Sequence, residues 1–170
     1  MPKLILLRHG QSEWNATNRF TGWYDCQLSK QGEDEARQAS RLLADAGILP
    51  DVVHTSLLSR AIHTAELVLA ALGRSWIPVY RNWRLNERHY GDLTGLNKVD
   101  TRERHGPEQL LAWRRGYDSP PPPIAPDNPH NPNDDVRYAD INPPLAECLA
   151  DVVTRMRPYW TEALAPDLLT

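Results

Sequence analysis

Cysteine is scarce in this 170-residue chain. Cys26 and Cys148 form no CxxC pattern and supply no disulfide framework, which fits a reducing cytosol. Long apolar runs are missing too. The only early one, Leu4 to Leu7, is far too short for a signal peptide or a spanning helix, so a soluble, cytoplasmic protein without a membrane partner is expected. Neither sign of charge dominates: the net charge of -3 argues against nucleic acid or an anionic membrane held by bulk charge. Internal repeats are absent. What remains is an ordinary globular composition, 41% hydrophobic and 24% charged, over residues 1–170. That length makes one domain, and such a chain typically buries ~70% of its unfolded surface.

Proline is unevenly spread, with nine of the 15 prolines between Pro120 and Pro144. Each fixes φ and removes an amide donor, so neither helix nor central strand runs through this stretch. Its composition suits a solvated linker, and its length suits an ordered functional lid.

Elsewhere, short apolar runs alternate with helical patterns. Leu4 to Leu7 reads as a buried strand, apolar at consecutive positions because both faces would be covered. Ser29 is a candidate N-cap for a helix whose face is Ala36, Ala39, Leu42, Leu43 and Ala46, with Gly47 as its stop. Asp51 to His54 is a second strand. A helix from about Leu57 follows, apolar at Ala61, Ile62, Ala65, Val68, Leu69 and Leu72, and Gly73 ends it. Ile77 to Tyr80 is a third strand. Helical patterns return at Pro107 to Arg115 and Leu145 to Met156, with Pro158 kinking or ending the latter. Strand and helix in turn imply an α/β fold with a mainly parallel sheet flanked by helices.

The chemistry concentrates where the first strand ends, in Arg8-His9-Gly10-Gln11-Ser12 and on to Asn15. In open α/β sheets, ligands bind outside the carboxyl ends of strands. Gly10 lets the backbone approach a ligand closely. A neutral imidazole has a lone pair able to attack phosphorus, and Arg8 offers planar donors for phosphoryl oxygens. Ser12 and Asn15 add neutral donors. The other histidines, His54, His63, His89, His105 and His130, lack metal-ligand spacing, so no metal is expected.

Arg8-His9-Gly10 after a strand resembles the mark of the histidine phosphatase superfamily, and the chain looks most like its cofactor-dependent phosphoglycerate mutases. The matching stretches continue through Asn18 to Trp23, Thr55 to Ile62, Trp83 to Gly91, Gly95 to Lys98, and Trp113 to Arg115 before Tyr117-Asp118, with Pro120 to Pro123 also fitting. The resemblance implies the three-layer phosphoglycerate mutase-like fold. It makes His9 the nucleophile that becomes phosphohistidine, Arg8 and Arg60 the holders of the phosphoryl group, and Glu87 the general acid/base. Gly10, Gln11, Ser12, Asn15, Thr21, Gly22, Arg88, His89, Tyr90, Lys98, Arg114 and Arg115 would line or grip the phosphoglycerate, and 2,3-bisphosphoglycerate would prime the site. The implied activity interconverts 3-phosphoglycerate and 2-phosphoglycerate in glycolysis and gluconeogenesis.

Physical reasoning supports the same roles. Phosphoryl transfer spreads charge over equatorial oxygens, where fixed cations stabilise it. Arg60, near a helix start, would sit where backbone amides also help an anion. The bland readings are an exposed helix charge for Arg60, a salt bridge from Glu87 to Arg84 or Arg88, a solvated face for Arg114 and Arg115, and packing for Trp113.

The sequence departs from the family pattern at Gln11, where many relatives carry Glu, and at Ala146, where they tend to have Thr. Family members also continue into another strand and a second catalytic histidine followed by Gly-Asn. Here no histidine follows His130. The fold is therefore expected to be incomplete at the C-terminus, with an unpaired edge beside the His9 strand, either as a piece of a longer mutase or as a true truncation. Losing a positioned acid/base alone typically costs ~10²–10⁴-fold in rate, so weak activity is expected of this chain alone. Two rivals stay open: a broad phosphatase of the same superfamily, and a phosphometabolite-binding pseudoenzyme. Homo-oligomerisation is also open.

Overall fold

In the computed structural model, which describes residues 2–169, six of the seven α-helices lie at or beyond residue 30 and surround a small parallel sheet. α1 (Glu13–Ala16) is a single turn, capped reciprocally by Ser12 and Asn15. α2 (Lys30–Asp45) starts at Ser29, whose hydroxyl accepts from the Gly32 amide. The face it buries differs from the expected one. Gly32, Ala36 and Ser40 are buried, whereas Leu42 is 64% exposed. An i, i+4 row of small residues allows close packing against α3 (Ser59–Ala71), which the larger leucines would prevent.

β1 (Val53–Thr55) and β2 (Val79–Arg81) pair in parallel, Val53 opposite Val79, each shifted slightly toward the C-terminus of its expected run. α3 is the crossover between them, as the βαβ pattern requires. The expected first strand does not form. Among the described residues nothing pairs with 4–7, and Leu6 is 87% exposed. An apolar run encodes burial, but a strand exists only where a neighbour supplies its ladder bonds.

α4 (Lys98–His105), a helix the sequence reading did not identify, is capped by Asn97, and α5 (Pro107–Arg115) has proline in its first turn. The apolar face of α5 closes a core of Phe20, Leu93, Leu110 and Trp113, with Tyr90 packed against it. Trp113 is therefore a packing residue, as its bland reading held. α6 (Leu149–Tyr159) begins four residues later than expected because Cys148 supplies its cap and Asp151 answers it. Pro158 interrupts the ladder, and a π-helical turn, Trp160–Leu164, precedes α7 (Ala165–Leu169).

The proline-rich stretch is ordered by side chains rather than by backbone ladders. His130 stands edge-on to the stacked rings of Trp14 and Tyr24, in space that a side chain at Gly95 would fill. Asp92 accepts from Ala125 N and Asn128 Nδ2. Among the described residues no helix is long and apolar enough to cross a membrane, and no cluster of His, Cys, Asp and Glu has a metal-holding arrangement.

Candidate active site

His9 and Arg60, 51 positions apart, meet at the centre of the candidate site. The His9 Nδ1 lies 2.6 Å from the Gly10 carbonyl, and Arg60 Nε donates to His9 Nε2 at 3.3 Å. Because Nε2 accepts, the ring proton sits on Nδ1 and is donated to Gly10. The tautomer is thereby set, with the reactive lone pair on Nε2. Burial, chiefly, holds the imidazole below its ordinary pKa. Arg60 and Arg8 add to the lowering, while the Gly10 carbonyl and Glu87 oppose it.

Arg60 is fully buried and heavily engaged. Nη1 donates to the Tyr24 carbonyl at 3.0 Å, and Nη2 to the Gly22 carbonyl and to Glu87 Oε2, both at 2.8 Å. Glu87 thus pairs with Arg60, not with Arg84 or Arg88. Gly22 reaches this geometry at φ +58, which favours glycine. Of the amides near the start of α3 that were expected to assist beside Arg60, three are already engaged. Leu57 N is taken by Asn86, Leu58 N by Ser56 and Ser59 N by Asp25, so these donors are already satisfied.

The cations assigned from sequence converge on one neighbourhood. Burial and then Arg114 push the Lys98 ammonium below its ordinary value, with Arg8 assisting and Glu87 opposing. The Tyr90 hydroxyl is raised by burial and by Glu87, against the pull of Arg88, Arg114 and Arg115. Among the described residues Arg8, Lys98, Arg114 and Arg115 have no carboxylate partner. Lys98 lies over the Phe20 ring at 5.7 Å, and Arg88 donates to the Trp113 carbonyl. Nearby, the buried Thr21 Oγ1 has no hydrogen-bond partner.

Several residues expected to contact the ligand also have structural duties. A Cβ at Gly10 would lie 2.2 Å from the Gly32 carbonyl oxygen, so this glycine permits close packing on α2. Ser12 is fully buried as the α1 cap, and Asn15 Oδ1 accepts from Ser12 N. Gln11 Oε1 accepts from Ser29 Oγ. His89 is only 1% exposed, with its ring beside Trp23, and is an interior residue rather than a pocket wall.

Sequence reasoning missed the frame behind Glu87. Arg155 and Glu147 form an ion pair whose side chains are 8% and 2% exposed. The Arg155 guanidinium also donates to the carbonyls of Arg84, Asn86 and Glu87, and Glu147 accepts from His89 N. This pair braces the irregular 84–89 loop, whose carbonyls have no ladder to satisfy them. On α6, Arg155 carries no local signal that separates it from a solvated charge.

Residues 4–166 match the sequence pattern of the histidine phosphatase superfamily (branch 1). A 2,3-bisphosphoglycerate-dependent phosphoglycerate mutase of Thermobifida fusca is 60% identical over 171 residues, spanning 99% of this chain and 69% of that protein. The mutase of Corynebacterium glutamicum is 58% identical over 96% of this chain and 66% of its own length. Among solved structures, a mycobacterial glucosyl-3-phosphoglycerate phosphatase in complex with VO3 superimposes with a TM-score of 0.66 at 28% identity, covering 94% of this chain and 63% of that one. Bacillus stearothermophilus YhfR shares the fold at a TM-score of 0.65 and 24% identity, over 94% of this chain and 65% of its own. The chain thus spans about two thirds of the length of the proteins it matches. With an arginine-backed imidazole at its centre and relatives this similar, the chain belongs to the histidine phosphatase superfamily, alongside the 2,3-bisphosphoglycerate-dependent phosphoglycerate mutases.

Proposed function

We propose that this chain carries the phosphoryl-transfer site of a phosphoglycerate mutase, an isomerase that interconverts 3-phosphoglycerate and 2-phosphoglycerate. One observation carries the reading: a fixed imidazole lone pair faces a fully buried guanidinium, within reach of cations that have no carboxylate partner among the described residues. Unpaired cations in one place repel each other, and an anion relieves that repulsion.

The residues fit 2,3-bisphosphoglycerate, which has two phosphates and a carboxylate. Arg8 and Arg60 would hold the phosphoryl group next to His9. Lys98, Arg114 and Arg115, with Tyr90, Arg88 and Asn15, would hold the far end. The partnerless Thr21 hydroxyl is a further donor. When bound, this group supplies the phosphoryl that primes the site.

In the proposed reaction, the His9 Nε2 lone pair forms a bond to phosphorus as the bond to the departing oxygen breaks. Arg60 and Arg8 neutralise charge on the equatorial oxygens, and Gly10 O keeps the Nδ1 proton in place as positive charge develops on the ring. As phosphorus leaves His9, the Glu87 carboxylate takes the proton of the accepting hydroxyl, and it returns that proton to the departing oxygen when His9 is phosphorylated again. Its pairing with Arg60 keeps the carboxylate beside the reacting atoms.

Relatives at 58–60% identity support the mutase over the phosphatase reading, for which the solved glucosyl-3-phosphoglycerate phosphatase is 28% identical. The test is transfer of labelled phosphoryl from 2,3-bisphosphoglycerate to protein in acid-labile form. Wild type is expected to label and His9→Ala not to. Equal labelling of both refutes the assignment, and rapid hydrolysis of diverse monoesters without mutase turnover reverses the ranking.

A further inference from the structure

Arg60 is held partly by contacts that lead away from the site and into the proline-rich stretch. α3 begins without a cap of its own, since Leu58 has no side-chain bond to the helix. Asp25 takes that role from outside the helix: Oδ1 accepts from Ser59 N at 2.7 Å and Oδ2 from Ser59 Oγ at 2.6 Å. Arg137 Nη1 donates to the same Asp25 Oδ2 at 2.6 Å and to the Leu57 carbonyl at 3.1 Å. One guanidinium therefore ties the residue that caps α3 to the chain entering it. Asp135 grips the other edge of that guanidinium through Nε and Nη2, which fixes the plane of the fork.

The neighbouring residue reaches the other half of the site. Tyr138 is 2% exposed, and its hydroxyl accepts from Asn86 Nδ2 at 2.9 Å. Asn86 immediately precedes Glu87 and accepts from Leu57 N. Tyr24, whose carbonyl holds Arg60 Nη1, immediately precedes Asp25. Residues 135–138 thus touch the chain on both sides of the Arg60–Glu87 pair without touching the pair itself.

We infer that Arg137 is a positioning residue for Arg60, acting through Asp25 and the first turn of α3. The inference rests on the phosphoryl-site reading of His9 and Arg60. Without Arg137 the α3 cap loses its anchor, and a displacement of about 1 Å at a reacting centre costs ~10²-fold in rate. The far-end cations are untouched, so substrate affinity is spared.

Two readouts on the 170-residue chain test this. In a ¹H–¹⁵N spectrum, Arg60 Nε–H is expected as a protected, shifted resonance in wild type that merges with the exposed arginines in Arg137→Met. In labelling from 2,3-bisphosphoglycerate, Arg137→Met is expected to lower the saturating rate constant ~10- to 100-fold with less than about a threefold change in half-saturating concentration. Arg137→Lys, which keeps a charge beside Asp25, is expected to recover much of that rate. If Arg137→Met does not fold, Arg137→Lys carries the test, with an intermediate rate expected because its single ammonium cannot reproduce the fork. The inference is overturned if the folded variant keeps the Arg60 resonance, if it labels at the wild-type rate, or if the loss lies wholly in half-saturation. Should wild type itself not label, the phosphoryl-site reading fails while the Arg60 resonance still decides the positioning role.

Discussion

Arg60 Nε donates to His9 Nε2 across 3.3 Å, while the other two nitrogens of the same guanidinium hold the carbonyls of Gly22 and Tyr24 and the carboxylate of Glu87. One side chain therefore sets the imidazole, the loop at 22–24 and the acid/base candidate. Replacing it with Met orphans two carbonyls. Glu87, about one third exposed, turns to water and softens the loss. Urea unfolding of Arg60→Met is expected to report about 3 kcal/mol of lost stability. Labelling of His9 should fall ~10²-fold or more, because a preorganised donor is gone. An unchanged unfolding midpoint would contradict the fully engaged guanidinium described above.

His89 gives the protein an acid-sensitive core. Burial, and then Arg155, lower its pKa from 6.5 to about 4. Its Nδ1 accepts from Gly91 N, so the proton is on Nε2, a buried donor without a partner. As pH falls through 6.5, the unfolded chain takes up a proton that the folded chain refuses. Stability present above about pH 6.5 is therefore lost toward pH 4, by up to about 3 kcal/mol. Denaturant midpoints measured across that window should slope in wild type and flatten in His89→Gln. Parallel slopes would place the acid sensitivity elsewhere.

The unpaired cations separate binding from stability. Arg114→Ala and Arg115→Ala break no ion pair, so thermal unfolding should change by no more than about 0.5 kcal/mol. Each is expected to weaken 2,3-bisphosphoglycerate binding ~10- to 100-fold in calorimetry, the worth of one charge-assisted hydrogen bond. Wild-type affinity in both variants would restore the solvated-face reading.

The helices were the most legible elements. α2 follows from its Ser29 cap and Gly47 stop, α3 from apolar spacing and the Gly73 stop, and α5 from a helical pattern opened by Pro107, all of which act within a few residues. α4 escaped notice because Lys98 to His105 is almost wholly polar, and its Asn97 cap was the one local sign. Leu4 to Leu7 misled in the opposite direction. Four apolar residues specify where a segment is most stable, not which neighbour will pair with it. The site residues were legible through their resemblance to a known family, whereas the interior position of His89 was visible only with its surroundings.

By itself the sequence determined most of the helical segments, the order of motifs and the residue types a phosphoryl site needs, because those are recorded in contiguous stretches of chain. Only the tertiary structure decided that Arg60 lies against His9, that α2 buries its small residues, and that Arg155 and Arg137 brace the loops behind the site. The three arginine contacts join groups 51 to 112 positions apart at hydrogen-bond distance. No local rule of spacing or propensity acts over that separation; burial and the need to satisfy every enclosed polar atom do.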